Sequence, residues 1–299
     1  MKRVGLIGCG RWGANVLRDL LMLDADVVVS DPDPARRMEA LARGASAVVE
    51  HDHQLPECDG YVVVTPAPTH RDVVTRVLDR GVPVFVEKPP GTNLADVEAM
   101  VARGEGRLFV MHKWRWHPGI RELARVAASG RLGTPLALHT VRVGPEPLPD
   151  GVNVVWHLGV HDLSIALEVL GDVAPVEHAD GTRDAVGRIE RCRVHMARGA
   201  KTHEMVLGAN QAERVRRVEL RGPTGSAVLE RPDAPCLTIN SSSRAEDVVL
   251  SREQPLEAEL RDFLAHLAGG PPPRSDGDAA LAVVRRMAEI QAHVESART

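Results

Sequence analysis

Aromatic side chains are scarce in this sequence. Phe, Trp and Tyr make up 3% of it, as 3 Phe, 4 Trp and 1 Tyr. The core therefore has to be built from Val, Leu, Ala and Ile, and each aromatic is worth locating. An excess of one charge is also missing: 37 Lys and Arg face 41 Asp and Glu, a net charge of −4. That balance excludes a basic nucleic-acid or membrane surface as the main business of the chain. No apolar run reaches the roughly 18 residues that a bilayer crossing needs. Met1-Lys2-Arg3 has the charge of a leader's first segment, but the apolar run behind it breaks at Gly8 and Arg11. The 4 cysteines, Cys9, Cys58, Cys192 and Cys236, form no C-x-x-C pair. Neither a zinc ribbon nor a redox dithiol is indicated, and free thiols in a reducing cytoplasm are expected. With 43% hydrophobic residues and little net charge, disorder is excluded. At 299 residues the chain is long for one core and suits two.

What is present is an alternation. Strand-like runs at 4–7, 26–30, 47–49, 61–64, 84–86 and 108–111 are separated by helical stretches at 15–23, 34–43, 71–80 and 94–102. Without hairpin signals, this order predicts βαβ units, a parallel sheet and right-handed crossovers. After Pro118 the character changes. Helices are expected at 120–128 and 158–170, and strands at 136–143, 188–196, 202–207, 215–221 and 227–230, joined by Gly/Pro turns. Two helices, 256–267 and 279–289, finish the chain. The spacing predicts two domains, 1–118 and 119–299, the second an open, mainly antiparallel sheet with helices on one side. The last helix is a candidate to pack back on the first domain.

The strongest motif is Gly8-Cys9-Gly10-Arg11-Trp12-Gly13, between the first strand and the first helix. Glycines there allow a tight turn and the close approach of a pyrophosphate, and the free N–H groups of the helix start bind anions. Asp31 ends the second strand, 18 residues after Gly13. Its carboxylate suits the adenosine ribose and repels a 2′-phosphate, favouring NAD(H) with NADP(H) as the alternative. Asp31 also fits the N-cap of the following helix. Arg36 and Arg37 are read as solvated helix residues rather than phosphate grips.

Three more segments complete a pattern: Thr65-Pro66-Ala67-Pro68-Thr69-His70 after the fourth strand, Glu87-Lys88-Pro89 after the fifth, and Trp156-His157-Leu158-Gly159-Val160-His161-Asp162 opening a later helix. With the glycine loop, they resemble the glucose–fructose oxidoreductase/inositol dehydrogenase (Gfo/Idh/MocA) family over nearly the whole chain. Arg115-Trp116-His117-Pro118 is similar to that family's segment at the domain junction, and residues 256–263 to its late helix. The resemblance implies an α/β fold with an N-terminal Rossmann doubly wound sheet, and an NAD(P)-dependent dehydrogenase of sugars, nucleotide sugars or cyclitols.

It further implies that Gly8, Gly10, Arg11, Trp12, Gly13, Asp31, Thr65, Pro66, His70, Glu87 and Lys88 hold the dinucleotide. Lys88 and His161 become the catalytic pair, Lys88 on the reacting oxygen and His161 as acid–base. His157 stands where the family's D-x-G-x-H motif has aspartate, and it is counted with them. Substrate contacts are expected from Lys88, Arg115, Trp116, Trp156, His157 and His161. Trp114 and Trp116 fit the domain junction equally well as core plugs.

Zinc helices place Glu after the first of two histidines four apart, whereas Leu158 holds that place here and no third ligand is evident, so no metal is expected. The partner is a carbohydrate-like small molecule, with no nucleic acid or membrane. A homodimer or homotetramer through the open sheet face is expected. A dinucleotide-sensing regulator and an imine reductase on the same fold are the alternatives.

Overall fold

In the computed structural model, which describes residues 1–241 and 244–296, the chain divides into two units. Unit 1 comprises Met1–Lys113 and Gln254–Leu281, and unit 2 comprises Trp114–Glu253 and the chain from Ala282 onward. The boundary thus falls five residues before the expected one, and a late segment returns to the first unit.

Unit 1 is built on six parallel strands, β1 (Arg3–Ile7), β2 (Asp26–Ser30), β3 (Ala47–Val49), β4 (Gly60–Val63), β5 (Val84–Val86) and β6 (Leu108–Val110). Their order is β3-β2-β1-β4-β5-β6, and it reverses beside β1 and β4. The helices α1 (Gly13–Met22), α2 (Pro34–Arg43), α3 (His70–Leu78) and α4 (Leu94–Gly104) make the crossovers. A parallel strand covered on both faces needs a continuous apolar run. Val27, Val28 and Val29 in β2 and Val84, Phe85 and Val86 in β5 are all buried. The chain therefore reads out as an open sheet whose carboxyl edge, at the strand-order reversal, is the place where ligands bind in such sheets.

Unit 2 begins with α5 (Pro118–Ala128), β7 (Leu136–Val143) and α6 (Val160–Leu170). Seven more strands follow: β8 (Val176–Arg183), β9 (Ile189–Arg198), β10 (Lys201–Gly208), β11 (Val215–Gly222), β12 (Gly225–Leu229), β13 (Cys236–Ser241) and β14 (Ala245–Val249). They form one sheet in the order β14-β13-β12-β11-β7-β10-β9-β8. All neighbours are antiparallel except β7 and β10, which pair in parallel. Leu136, Leu138, Thr140 and Arg142 of β7 point inward by the two-residue period and are buried. Leu138 joins Leu123, Ile165, Leu220 and Ile239 in a core that α5 and α6 close.

The two last helices are α7 (Pro255–Leu267) and α8 (Gly277–Ser296). Helix α7 lies wholly within unit 1, the final helix only by its start. Leu256, Leu260 and Phe263 share its inner face and pack in one core with Phe85 and Phe109. The Phe263 ring centroid is 5.1 Å from that of Phe85 and 6.3 Å from that of Phe109. Three of the chain's eight aromatics thus make one contact. The initial turns of α8, up to Leu281, also belong to unit 1. Among the described residues no helix is long and apolar enough to cross a membrane.

Candidate active site

The glycine loop is shaped by two steric requirements. Gly8 has φ +91°, and a Cβ there would stand 2.8 Å from the Val64 carbonyl oxygen. At Gly13 it would stand 2.2 Å from the Gly8 carbonyl oxygen. Gly10 is different. A Cβ there would meet nothing closer than the Arg36 guanidinium, at 3.5 Å. The protein's own packing does not require that glycine, which keeps the loop surface clear for an approaching ligand. Helix α1 begins behind the loop with Trp12 at its N-cap and no side-chain cap bond. The N–H groups of Ala14 and Asn15 turn onto the Gly10 and Trp12 carbonyls, both at 2.9 Å, whereas those of Gly10, Arg11, Trp12 and Gly13 meet no described acceptor and are open to an anion.

This loop walls a cleft of about 610 Å³ in unit 1, shared with Asp31, Arg36, Thr65 and Pro66. Trp12 also lines it, with the Lys113 ammonium 4.5 Å from its ring centroid. A clear loop, an uncapped helix start and a carboxylate at the end of β2 together fit a dinucleotide.

Asp31 is 1% exposed and braces the loop: its carboxylate accepts from the Cys9 N–H at 2.7 Å and from the Asp33 N–H at 2.9 Å. Two of its roughly four acceptor positions are used, which leaves others for a ribose hydroxyl. It is not the helix cap. Asp33 caps α2, accepting from the Ala35 N–H at 2.9 Å. The two arginines part company. Arg37 donates to the carbonyls of Asp31 and Pro32 at 2.8 and 2.9 Å. Arg36 lines the cleft, 3.8 Å from Asp31 and 3.4 Å from Asp33. Its side chain is 51% exposed, as expected of a solvated helix residue, while reaching the cleft.

The carboxyl end of β5 carries Glu87 and Lys88, and the Glu87 N–H continues the ladder to the Val63 carbonyl at 2.8 Å. Burial pushes the Glu87 carboxyl up to about 7, against the pull of the Lys88 and Lys113 ammonium groups. The chain contains four lysines. Lys2 pairs with Asp59 at 2.9 Å, Lys201 donates to the Leu170 carbonyl at 2.5 Å, and Lys113 lies over Trp12. The Lys88 backbone N–H bonds the Glu87 carboxyl, but its ammonium makes no hydrogen bond or ion pair with any described residue.

His70 is placed otherwise than expected. It is 1% exposed, and its two ring nitrogens face the carbonyls of Pro89 and Thr65. Neither nitrogen is left for a cofactor.

The other expected residues belong to unit 2. Trp156 and His157 lie in a π-helical turn, Val155–Gly159, that runs into α6 and so brings His161 to the first turn of that helix. Such turns recur at functional sites. The His161 ring meets the Trp114 ring edge-on at 6.4 Å between centroids. The Arg142 guanidinium stacks on the same indole at 4.5 Å and forks onto Asp162, the residue after His161, at 2.6 and 3.2 Å. Arg142 is 4% and Asp162 1% exposed. Burial raises the Asp162 carboxyl and Arg142 opposes it.

Two expected substrate contacts are committed within the protein. Arg115 pairs with Glu168 at 3.0 Å, and the Trp156 indole N–H donates to Gln291 at 2.8 Å. Trp116 is 2% exposed, a core residue.

Two groups escaped the sequence reading, and both left a signal there. Arg142 falls on the inward register of β7, in step with Leu136 and Leu138. Glu259 falls on the apolar face of α7 with Leu256, Leu260 and Phe263. It is 0% exposed, neither carboxyl oxygen has a hydrogen-bond partner, and burial together with Glu87 raises it well above the usual carboxylate range.

Comparisons with known proteins agree with this geometry. A family profile described as "Oxidoreductase family, NAD-binding Rossmann fold" (GFO_IDH_MocA) matches residues 2–110. Inositol 2-dehydrogenase 2 of Saccharopolyspora erythraea is 34% identical over 182 residues, 56% of this chain and 53% of that protein. The chain spans about half the length of the first curated relatives it matches. Over the full length, UDP-N-acetylglucosamine 3-dehydrogenase from Acidithiobacillus ferrooxidans superposes with a TM-score of 0.87 at 25% identity, covering 99% of this chain and 98% of that one. A 3-ketoreductase from Actinomadura kijaniata, solved with TDP-benzene and NADP, shares the fold at TM-score 0.86 and 22% identity, with 98% and 97% covered.

Proposed function

The chain belongs to the Gfo/Idh/MocA oxidoreductases, and from that premise we propose that it interconverts a secondary alcohol and a ketone on a sugar, nucleotide sugar or cyclitol. Gly8, Gly10 and Gly13 with the uncapped start of α1 would hold the diphosphate of NAD(H), and Asp31 its adenosine ribose. The bound nicotinamide supplies the hydride chemistry.

Lys88 binds and orients the substrate. Its ammonium donates a hydrogen bond to the reacting oxygen and stabilises negative charge as it develops there. His161 exchanges the proton of that oxygen, since an imidazole can both donate and accept a proton in a hydroxyl–carbonyl interconversion. The Trp114 edge and the Arg142–Asp162 fork orient the ring. His157 lies one turn before His161, where the family has aspartate. The exposed face of the second sheet, with His139, Glu204, His195 and Glu177 in a row of imidazole–carboxylate contacts across β7 to β8, is offered to a second copy of the chain.

The observation that carries this reading is the one uncommitted lysine, at the carboxyl end of a parallel strand. Its test is Lys88→Ala, assayed with a panel of nucleotide sugars and cyclitols by the NADH absorbance. We expect kcat to fall about 100-fold or more while the dinucleotide dissociation constant stays within a few-fold. Full turnover in the folded variant overturns the assignment.

A further inference from the structure

Lys88 stands on a turn, and a catalytic ammonium is only as well placed as the backbone under it. Two loops meet at this point. One runs from Thr65 to Thr69 between β4 and α3 and lines the cleft. The other is the Glu87-Lys88-Pro89 turn after β5. His70, the first residue of α3, lies between them. Its Nε2 is 2.7 Å from the Thr65 carbonyl oxygen and its Nδ1 is 3.0 Å from the Pro89 carbonyl oxygen.

We propose that His70 is a positioning residue for Lys88: its imidazole bridges the Thr65 and Pro89 carbonyls, and so ties the cleft-lining loop to the turn that carries the lysine. A ring nitrogen can donate to a carbonyl only when it carries a proton. The neutral ring therefore serves one carbonyl at a time, and the doubly protonated ring serves both. Burial pushes the His70 ring toward its neutral form, while both carbonyls favour protonation. No charged group contributes to this balance; Arg71, the next residue of α3, pairs with Asp96 of α4 at 2.8 Å. The ring touches neither the glycine loop nor α1 by any hydrogen bond. Its loss should therefore act on Lys88 more than on the dinucleotide, which the glycine loop and α1 still hold.

The kinetic arm of the test rests on the role given to Lys88 above; the labelling arm does not, because it needs no substrate. The variants are His70→Phe, which keeps the ring but no donor, and His70→Gln, which keeps one donor. With four lysines in the chain, acylation by a small amine reagent can be read at Lys88 by peptide mass spectrometry, with Lys2 as the internal reference. In the folded Phe variant we expect the Lys88 rate, relative to Lys2, to change about fivefold. We expect kcat to drop about tenfold with the dinucleotide affinity within threefold, and the Gln variant to recover part of both.

A folded Phe variant with wild-type Lys88 labelling overturns the proposal. So does one that loses dinucleotide affinity as steeply as kcat. Altered labelling with unaltered kcat keeps the tie and instead removes Lys88 from the chemistry. Should the Phe variant not fold, ¹⁵N spectra of the wild-type imidazole decide. A ring N–H protected from solvent exchange is expected, and one exchanging like an exposed histidine refutes the bridge.

Discussion

Glu87→Gln isolates a half-buried ionisation in unit 1. The Glu87 carboxyl goes from 4.5 in an unstructured chain to about 7 in the fold. As pH rises, the unfolded chain loses this proton first. Folding stability therefore declines between about pH 4.5 and 7 and levels off above. At 1.36 kcal/mol per unit, the 4.5-to-7 displacement corresponds to about 3 kcal/mol lost over that window. Gln cannot ionise and loses nothing. Urea unfolding of wild type and variant at pH 5, 6, 7 and 8 gives the difference directly. We expect Glu87→Gln to gain on wild type by about 3 kcal/mol between pH 5 and pH 8. Glu259 adds to the decline at higher pH, and less so in the variant, where the Glu87 charge that helps raise it is gone, so its change acts in the same direction. A difference that stays flat with pH would refute the reasoning, because it would mean that water reaches Glu87 and relieves the cost of burial.

Arg36 stands between the two readings of cofactor preference. Arg36→Ala should weaken NADP(H) about tenfold and leave NAD(H) within threefold, measured by calorimetry at one salt concentration. Equal losses for both would assign Arg36 to the shared diphosphate. The Arg142–Asp162 pair makes a prediction about packing. Arg142→Met strands a buried carboxylate and should cost about 3–5 kcal/mol, whereas Arg142→Met with Asp162→Leu should recover much of it, by urea unfolding. Equal instability in the single and double variants would count against a paired charge as the reason for the loss.

The legibility of this sequence follows from how each element is buried. The six strands of the first sheet were readable because a parallel strand covered on both faces has to be apolar throughout, as Val27-Val28-Val29 is. In the second sheet, β8, β13 and β14 were not anticipated. β8 reads Val-Glu-His-Ala-Asp-Gly-Thr-Arg and β14 reads Ala-Glu-Asp-Val-Val, edge strands with too little apolar alternation to stand out.

The glycine loop and its cleft were legible because local geometry demands those residues in that order. Arg115, Trp156 and His70 were not placed correctly by pattern alone. Their polar atoms are taken by Glu168, Gln291 and two backbone carbonyls, and Glu168 and Gln291 lie 53 and 135 residues away along the chain. Sequence shows which groups can bond, but not which of them are already engaged. Arg142 and Glu259 teach the complementary lesson. A charge in step with an apolar period is visible in one dimension and marks a buried group.

The uncapped start of α1 also bears on the lifetime of the protein. A helix that begins on Trp12 forgoes about 1 kcal/mol that a Ser or Asp cap would supply. An anion seated on the open N–H groups of residues 10–13 supplies bonds that the chain itself does not, so occupancy and folding become linked by mass action. A dinucleotide at a hundred times its dissociation constant would deepen the folded state by about 2.7 kcal/mol, which leaves about a hundredfold fewer open molecules for a protease to cut. The abundance of such a protein would then follow the size of the dinucleotide pool, with its empty form cleared first.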